Sequence, residues 1–278
     1  MKNEQYLIEQ LENIRENNYI VPENESAYQI AKTMLHHIGS INPHLRDDLI
    51  YSTFSRWIVN DLFTTEELRE FLCISIDDEH LLYRLGEMDT DSVFTRTFSV
   101  LITAVILMKH NEKPFIPIEE FELVKEKVFQ FAKSENDIRG YVEEKGWAHS
   151  VAHLADCLDE LAKCNDSKED DIRTILELIS FRVMESKNVF DCEEDERLVI
   201  AVAAILKRNL LSNEEINTWI EAFKDYKQTG DYIKDYHIKI NAKHFLRSLY
   251  FRIDHDEKMK TTMTNTLIEL DTYRNSIK

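Results

Sequence analysis

The stretch Glu135-Asn-Asp-Ile-Arg-Gly-Tyr-Val-Glu-Glu-Lys-Gly-Trp-Ala-His-Ser-Val-Ala-His-Leu-Ala-Asp156 decides how the chain is read. It holds two of the five glycines, one of the three tryptophans, and two histidines one helical turn apart. The sequence on either side reads as amphipathic helix. From Trp147 onward the apolar residues recur at helical spacing. On that wheel His149, His153, Asp156 and Glu160 form one narrow ridge, and Val151, Leu154, Leu158 and Leu161 form another on the opposite side. If the leucines face the core, the imidazoles face water or a groove. Trp147 falls on the apolar side and is expected in the core, whereas Tyr141, in the turn, could face the groove.

Working outward, 278 residues with five glycines and four prolines leave little material for hairpins, so all-β and doubly wound folds are disfavoured. A hydrophobic fraction of 43% beside 31% charged residues fits a helix-rich globular chain. The net charge of −18 would repel a phosphate backbone, and lysines and arginines are interleaved with acids, so nucleic acid is not expected as a partner. Cys73, Cys157, Cys164 and Cys192 form no CxxC pair, the usage of a reducing cytoplasm. The first residues carry no apolar signal region. The longest apolar run, Val100 to Met108, is under half the ~20 residues of a membrane span, so a buried helix is expected and no membrane.

Helices are predicted over Asn3 to Glu16, from an Asn24 cap to Ile38, and from Pro43 through Leu45, Leu49, Phe54 and Trp57 to Ile58. Thr64 with Glu67, and Ser212 with Glu215, make capping boxes. A short piece near Asp77 to Leu85 ends at Gly86. Asp91 caps a helix, Ser92 to His110, that is apolar nearly all round and should form the middle of the core. An amphipathic helix follows Pro117. Further helices fall near Asp170–Glu185, Asp195–Arg208, Asn213–Lys224, Tyr232–Phe251 and Asp256–Arg274. Pairs of helices recurring every ~40 residues match the period of HEAT or armadillo repeats. The expected architecture is one all-α domain over residues 1–278, an α-α superhelix with a concave polar groove.

The blocks Arg46-Asp-Asp-Leu-Ile-Tyr51, Asp91-Ser-Val-Phe-Thr-Arg-Thr-Phe98, Asp137-Ile-Arg-Gly-Tyr141, Gly146-Trp-Ala-His-Ser-Val-Ala-His-Leu-Ala-Asp156 and Glu194-Asp-Glu-Arg-Leu198 together resemble the bacterial family catalogued as domain of unknown function 2785. They span roughly residues 45 to 205, with Thr97 standing where a serine would be expected. The resemblance implies a bacterial, cytoplasmic, all-helical protein and no particular activity.

Three readings of the central stretch follow. Imidazoles at i and i+4 with a carboxylate one turn on could ligate zinc or a similar divalent ion, so His149, His153 and Asp156 are a candidate metal set. Ser150 after His149 removes the general base of the His-Glu-x-x-His proteases. A metal-dependent hydrolase is therefore the alternative, with metal-bound water as nucleophile. The leading reading is a non-enzymatic module whose groove binds a protein, peptide or small ligand through His149, His153, Asp156, Asp137, Arg139 and Tyr141. In the third reading the polar residues only lock the loop. Arg96, on an apolar helix, needs an acid if it is buried, with Asp137 and Asp156 as the candidates. Alternatively Arg96, Arg139 and Arg197 could hold an anion.

Overall fold

A computed structural model describes residues 2–253 and 256–271. It is all-α, with one minimal pair of strands. Contacts divide the chain into two compact units, Met1–Glu160 and Leu161–Lys278.

The first unit contains α1 (Lys2–Glu16), α2 (Ala27–His36), a π-helical segment His44–Tyr51 running directly into α3 (Ser52–Val59), α4 (Thr65–Ser75), α5 (Ser92–Glu112) and α6 (Ile118–Ser134). The strands β1 (Tyr141–Val142) and β2 (Gly146–Trp147) follow, and then most of α7 (Ser150–Lys163), within which the division falls. The second unit holds α8 (Glu169–Val183), α9 (Glu194–Arg208), α10 (Asn213–Glu221) with a 3-10 turn Ala222–Asp225, α11 (Tyr232–Arg252) and α12 (Glu257–Glu269). Residues 272–274 of the expected last helix lie outside the described residues.

Helix α5 is the centre of the first unit. Val93, Phe94, Val100, Ile102, Ile106 and Leu107 are fully buried on it, and α3 and α4 pack against it. Among the described residues it alone is long and apolar enough to cross a membrane, but 83% of that apolar window is buried inside the protein and it carries Arg96. It is a core helix. Beside it Phe54, Phe63 and Phe71 make a cluster of edge-to-face and tilted rings 5.0–6.0 Å apart.

Several local expectations need correction. Ser26, not Asn24, caps α2, accepting the N–H of Gln29. Asp91 precedes α5 without a side-chain cap, its backbone already helical at φ −76° and ψ −10°, and its carboxylate meets Lys145 Nζ at 2.7 and 2.9 Å. Residues 77–86 are turns. Both capping boxes form: Thr64 with Glu67, and Ser212 with Glu215. In the second unit α9 packs most extensively against α11, and α10 against α12.

Candidate functional site

The loop between α6 and α7 is built on charged side chains buried beneath it. Arg96 is fully buried on α5 and faces Glu135, itself 2% exposed: Nε lies 2.5 Å and Nη2 3.0 Å from its carboxylate oxygens. The remaining guanidinium hydrogens go to the carbonyls of Tyr83 and Glu87 and to Ser92 Oγ. All five donors are thus used within the unit, leaving none for an external anion. The acid that pairs with Arg96 is Glu135, not Asp137 or Asp156.

Asp137 does a different task. Its carboxylate accepts the backbone N–H groups of Asp89 and Arg139 and the Arg139 side chain, Nη2 at 2.6 Å. That interaction raises the Arg139 pKa further above its ordinary value. Arg139 Nη2 also donates to Thr90 O at 2.8 Å, while Nη1 has no hydrogen bond among the described residues and the side chain is 25% exposed. The Asp137 carbonyl accepts Ser150 Oγ at 2.5 Å, fastening the start of α7.

Between these anchors the chain makes a tight hairpin, with Tyr141 opposite Trp147 and Val142 opposite Gly146. Val142 and the following Ala148 pack inward on Val93 and Phe94 of α5. Gly146 has φ +78°, and a Cβ there would stand 2.7 Å from Pro43 Cβ and 3.1 Å from Arg46 Nη2. Only glycine lets the strand lie this close to the π-helical segment. That segment supplies the second clamp. Arg46, fully buried, donates to the carbonyls of Ser40 and Lys145, both at 2.7 Å, and its guanidinium lies over the rings of Phe94 and Phe98 at 4.1 and 4.8 Å. Its Nε is 2.7 Å from Asp47 Oδ1 as an ion pair without hydrogen-bond alignment.

Burial pushes the Asp47 carboxyl up to about 6, against the opposing pull of Arg46 and, more weakly, of the nearby Trp147 backbone. Burial likewise lowers the Arg46 pKa. Desolvation outweighs mutual attraction for both partners, as expected of a pair removed from water.

The hairpin turns its aromatic face outward. Trp147 is 41% and Tyr141 58% exposed, with their rings edge to face at 5.0 Å. The His149 ring lies 4.2 Å from the indole. Trp147 is therefore not a core residue. Its strand conformation, and the left-handed backbone of His149 at φ 49°, delay the helix to Ser150. His149 consequently lies outside α7, and the expected helical ridge begins only at His153. That residue is 7% exposed and sits edge-on to Phe98 at 5.1 Å, inside the core rather than along a groove. Asp156 is half-buried. Among the described residues the ligand atoms of His149, His153 and Asp156 do not gather within 4.8 Å of one another. Arg197 is half-buried on α9 in the second unit, and Tyr141, Trp147, His149 and Arg139 belong to the first.

Helical framework and braced hairpin define an all-α protein that presents an aromatic face on a loop held by buried charges. The chain belongs to the family described as Protein of unknown function (DUF2785), whose model matches residues 81–251. The match takes in the hairpin and most of the second unit but leaves out the Arg46 block. No curated protein and no solved structure matches the chain.

Proposed function

We propose that the protein is a non-enzymatic binding module whose recognition surface is the outer face of the 141–149 hairpin. One observation carries this reading. Trp147 and Tyr141 stay open to solvent on a hairpin whose backbone is pinned by Arg46, Asp137 and Ser150. An exposed indole costs solvation unless something covers it, and a rigid platform binds without an ordering penalty. Large aromatic side chains are the commonest anchors of recognition surfaces. The His149 ring lies beside the indole, and Arg139 keeps one guanidinium nitrogen available for a carbonyl or carboxylate. The ligand class that suits this face is a peptide with an apolar or aromatic side chain.

Panning a displayed peptide library against the wild-type chain and against Trp147→Ala/Tyr141→Ala tests the reading. Sequences enriched on wild type and lost on the double variant support it. Equal enrichment on both chains, or no enrichment on either with both folded by circular dichroism, refutes it.

A further inference from the structure

The second unit carries a cleft of about 570 Å³ between α8 and α10. Its floor is apolar: Leu176, Leu211 and the ring of Trp219 line it. Trp219 is fixed there, because its Nε1 donates to Leu176 O at 3.0 Å and its ring stands edge-on to Phe223 at 5.2 Å. The walls are acidic. Glu177 and Glu214 are exposed on opposite sides, and Glu215, held down to about 2 by Ser212 and Arg173, stays ionised. Among the lining residues Arg173 is the single cation, and the carboxylates of Glu169, Asp170 and Glu215 already neutralise it. From Glu214 to Ala222 the cleft follows α10 for about 12 Å, some two helical turns.

We infer that this cleft receives a cationic amphipathic helix of a partner protein, with apolar side chains on the Leu176–Leu211–Trp219 floor and lysines or arginines against Glu177 and Glu214. The charge arrangement selects this occupant. A second copy of the chain brings a net charge of −18, which opposes docking against an acidic rim. An apolar stripe with basic flanks matches floor and rim together, the usual logic of a helix held in a groove. This surface lies in the other unit from the hairpin, and its test is separate.

The probe is a fluorescein-labelled peptide of leucine and lysine, about eighteen residues or ~5 turns, with leucines at i, i+3, i+4 and i+7. Its anisotropy is followed on titration with the full chain. A scrambled peptide of equal composition reports charge attraction alone. Thr218→Arg fills the cleft, Glu177→Lys/Glu214→Lys reverses the rim, and Glu23→Lys/Glu119→Lys reverses two exposed carboxylates elsewhere. The expected result is saturable binding of the amphipathic peptide, weakened at least ~10-fold by the cleft and rim variants and less than ~3-fold by the distant pair. Equal binding of the scrambled peptide, or equal effects of both charge reversals, overturns the inference. So does a chain that dimerises in sedimentation and becomes monomeric with Thr218→Arg, since the cleft would then be an interface between copies.

Discussion

Two loops that join consecutive helices in this protein, one of 15 residues between α6 and α7 and one of 10 between α8 and α9, are held in different ways. The loop between α6 and α7 is fastened by charges: Arg96 with Glu135, Asp137 with Arg139, Arg46 with Asp47. The centre of the loop between α8 and α9 is gathered by one neutral side chain, while at its ends His237 meets Ser186 O and the Glu185 and Glu194 carboxylates accept backbone N–H groups. Asn241, fully buried on α11, donates to the carbonyls of Glu185 and Asn188 and accepts the N–H of Phe190, all at 2.9–3.1 Å. An amide satisfies three backbone groups at modest desolvation cost, whereas a buried ion must be matched by a counter-ion or it destabilises the fold. The neutral clamp gathers the centre of its loop without a counter-ion. The charged clamps also hold an indole in the open, and they make that arrangement sensitive to protons and to single charge losses.

The largest expected effect breaks the charged clamp. Arg96→Met should cost about 3–5 kcal/mol in urea denaturation, because the buried Glu135 carboxylate loses its guanidinium counter-ion. Asn241→Ala should cost only about 1–3 kcal/mol. If the two losses are equal, the contrast between the loops is lost. Restoring most of the stability with Arg96→Met/Glu135→Leu would sharpen it.

A pH effect comes next. Asp47 is raised to about 6 in the folded protein, above the ordinary ~3.9 of an unfolded aspartate. The folded state therefore binds more protons than the unfolded one between about pH 4 and 6. The stability tied to Asp47 is fully present below pH 4 and is lost as pH rises through 6, on the order of 3 kcal/mol. Denaturation of wild type and Asp47→Asn from pH 4 to 7.5 should show a gap between the two curves that changes across this window and is constant above it. The same scan with Asn241→Ala should show no such change relative to wild type. A constant Asp47→Asn gap would sink the assignment.

The smallest effect isolates close approach. Gly146 and Gly230 both have positive φ, +78° and +83°, but a Cβ at Gly230 meets nothing within 4 Å. Gly230→Ala should cost about 1 kcal/mol for backbone conformation alone. Gly146→Ala should cost about 1–3 kcal/mol more, from overpacking against Pro43. Equal shifts in thermal midpoint would mean that the strand can move away from the π-helical segment.

Much of this was legible in the residues. The helix-rich class followed from scarce glycine and proline, the core helix from the unbroken apolar run of α5, and two helix starts from capping boxes. The central stretch misled for a physical reason. Gly140 and Gly146 flank a turn, and Tyr-Val and Gly-Trp are strands too short to show a two-residue period, so the 3.6-residue pattern of α7 was extended three residues too early. On the helical wheel Trp147 falls inside and His149 on the helix, whereas the strand exposes the first and the second precedes α7. An acid for Arg96 follows from its place on an apolar helix, but choosing Glu135 over Asp137, two positions away, depends on the loop's path. Arg46 and Asp47, adjacent charges in a helical segment, look like a solvated pair. Nothing in their spacing tells that a π-helix buries them under the hairpin.

The slot around Arg46 has a consequence for which side chains it can hold. The Phe94 and Phe98 rings of α5 lie against the guanidinium, and carbonyl oxygens stand at its rim. A planar, delocalised cation slides into such a space and reaches several oxygens at once, whereas a rounded ammonium would fill it poorly and hold its hydration shell more tightly. Of the 34 basic residues in the chain, this one is chosen for its shape as much as for its charge.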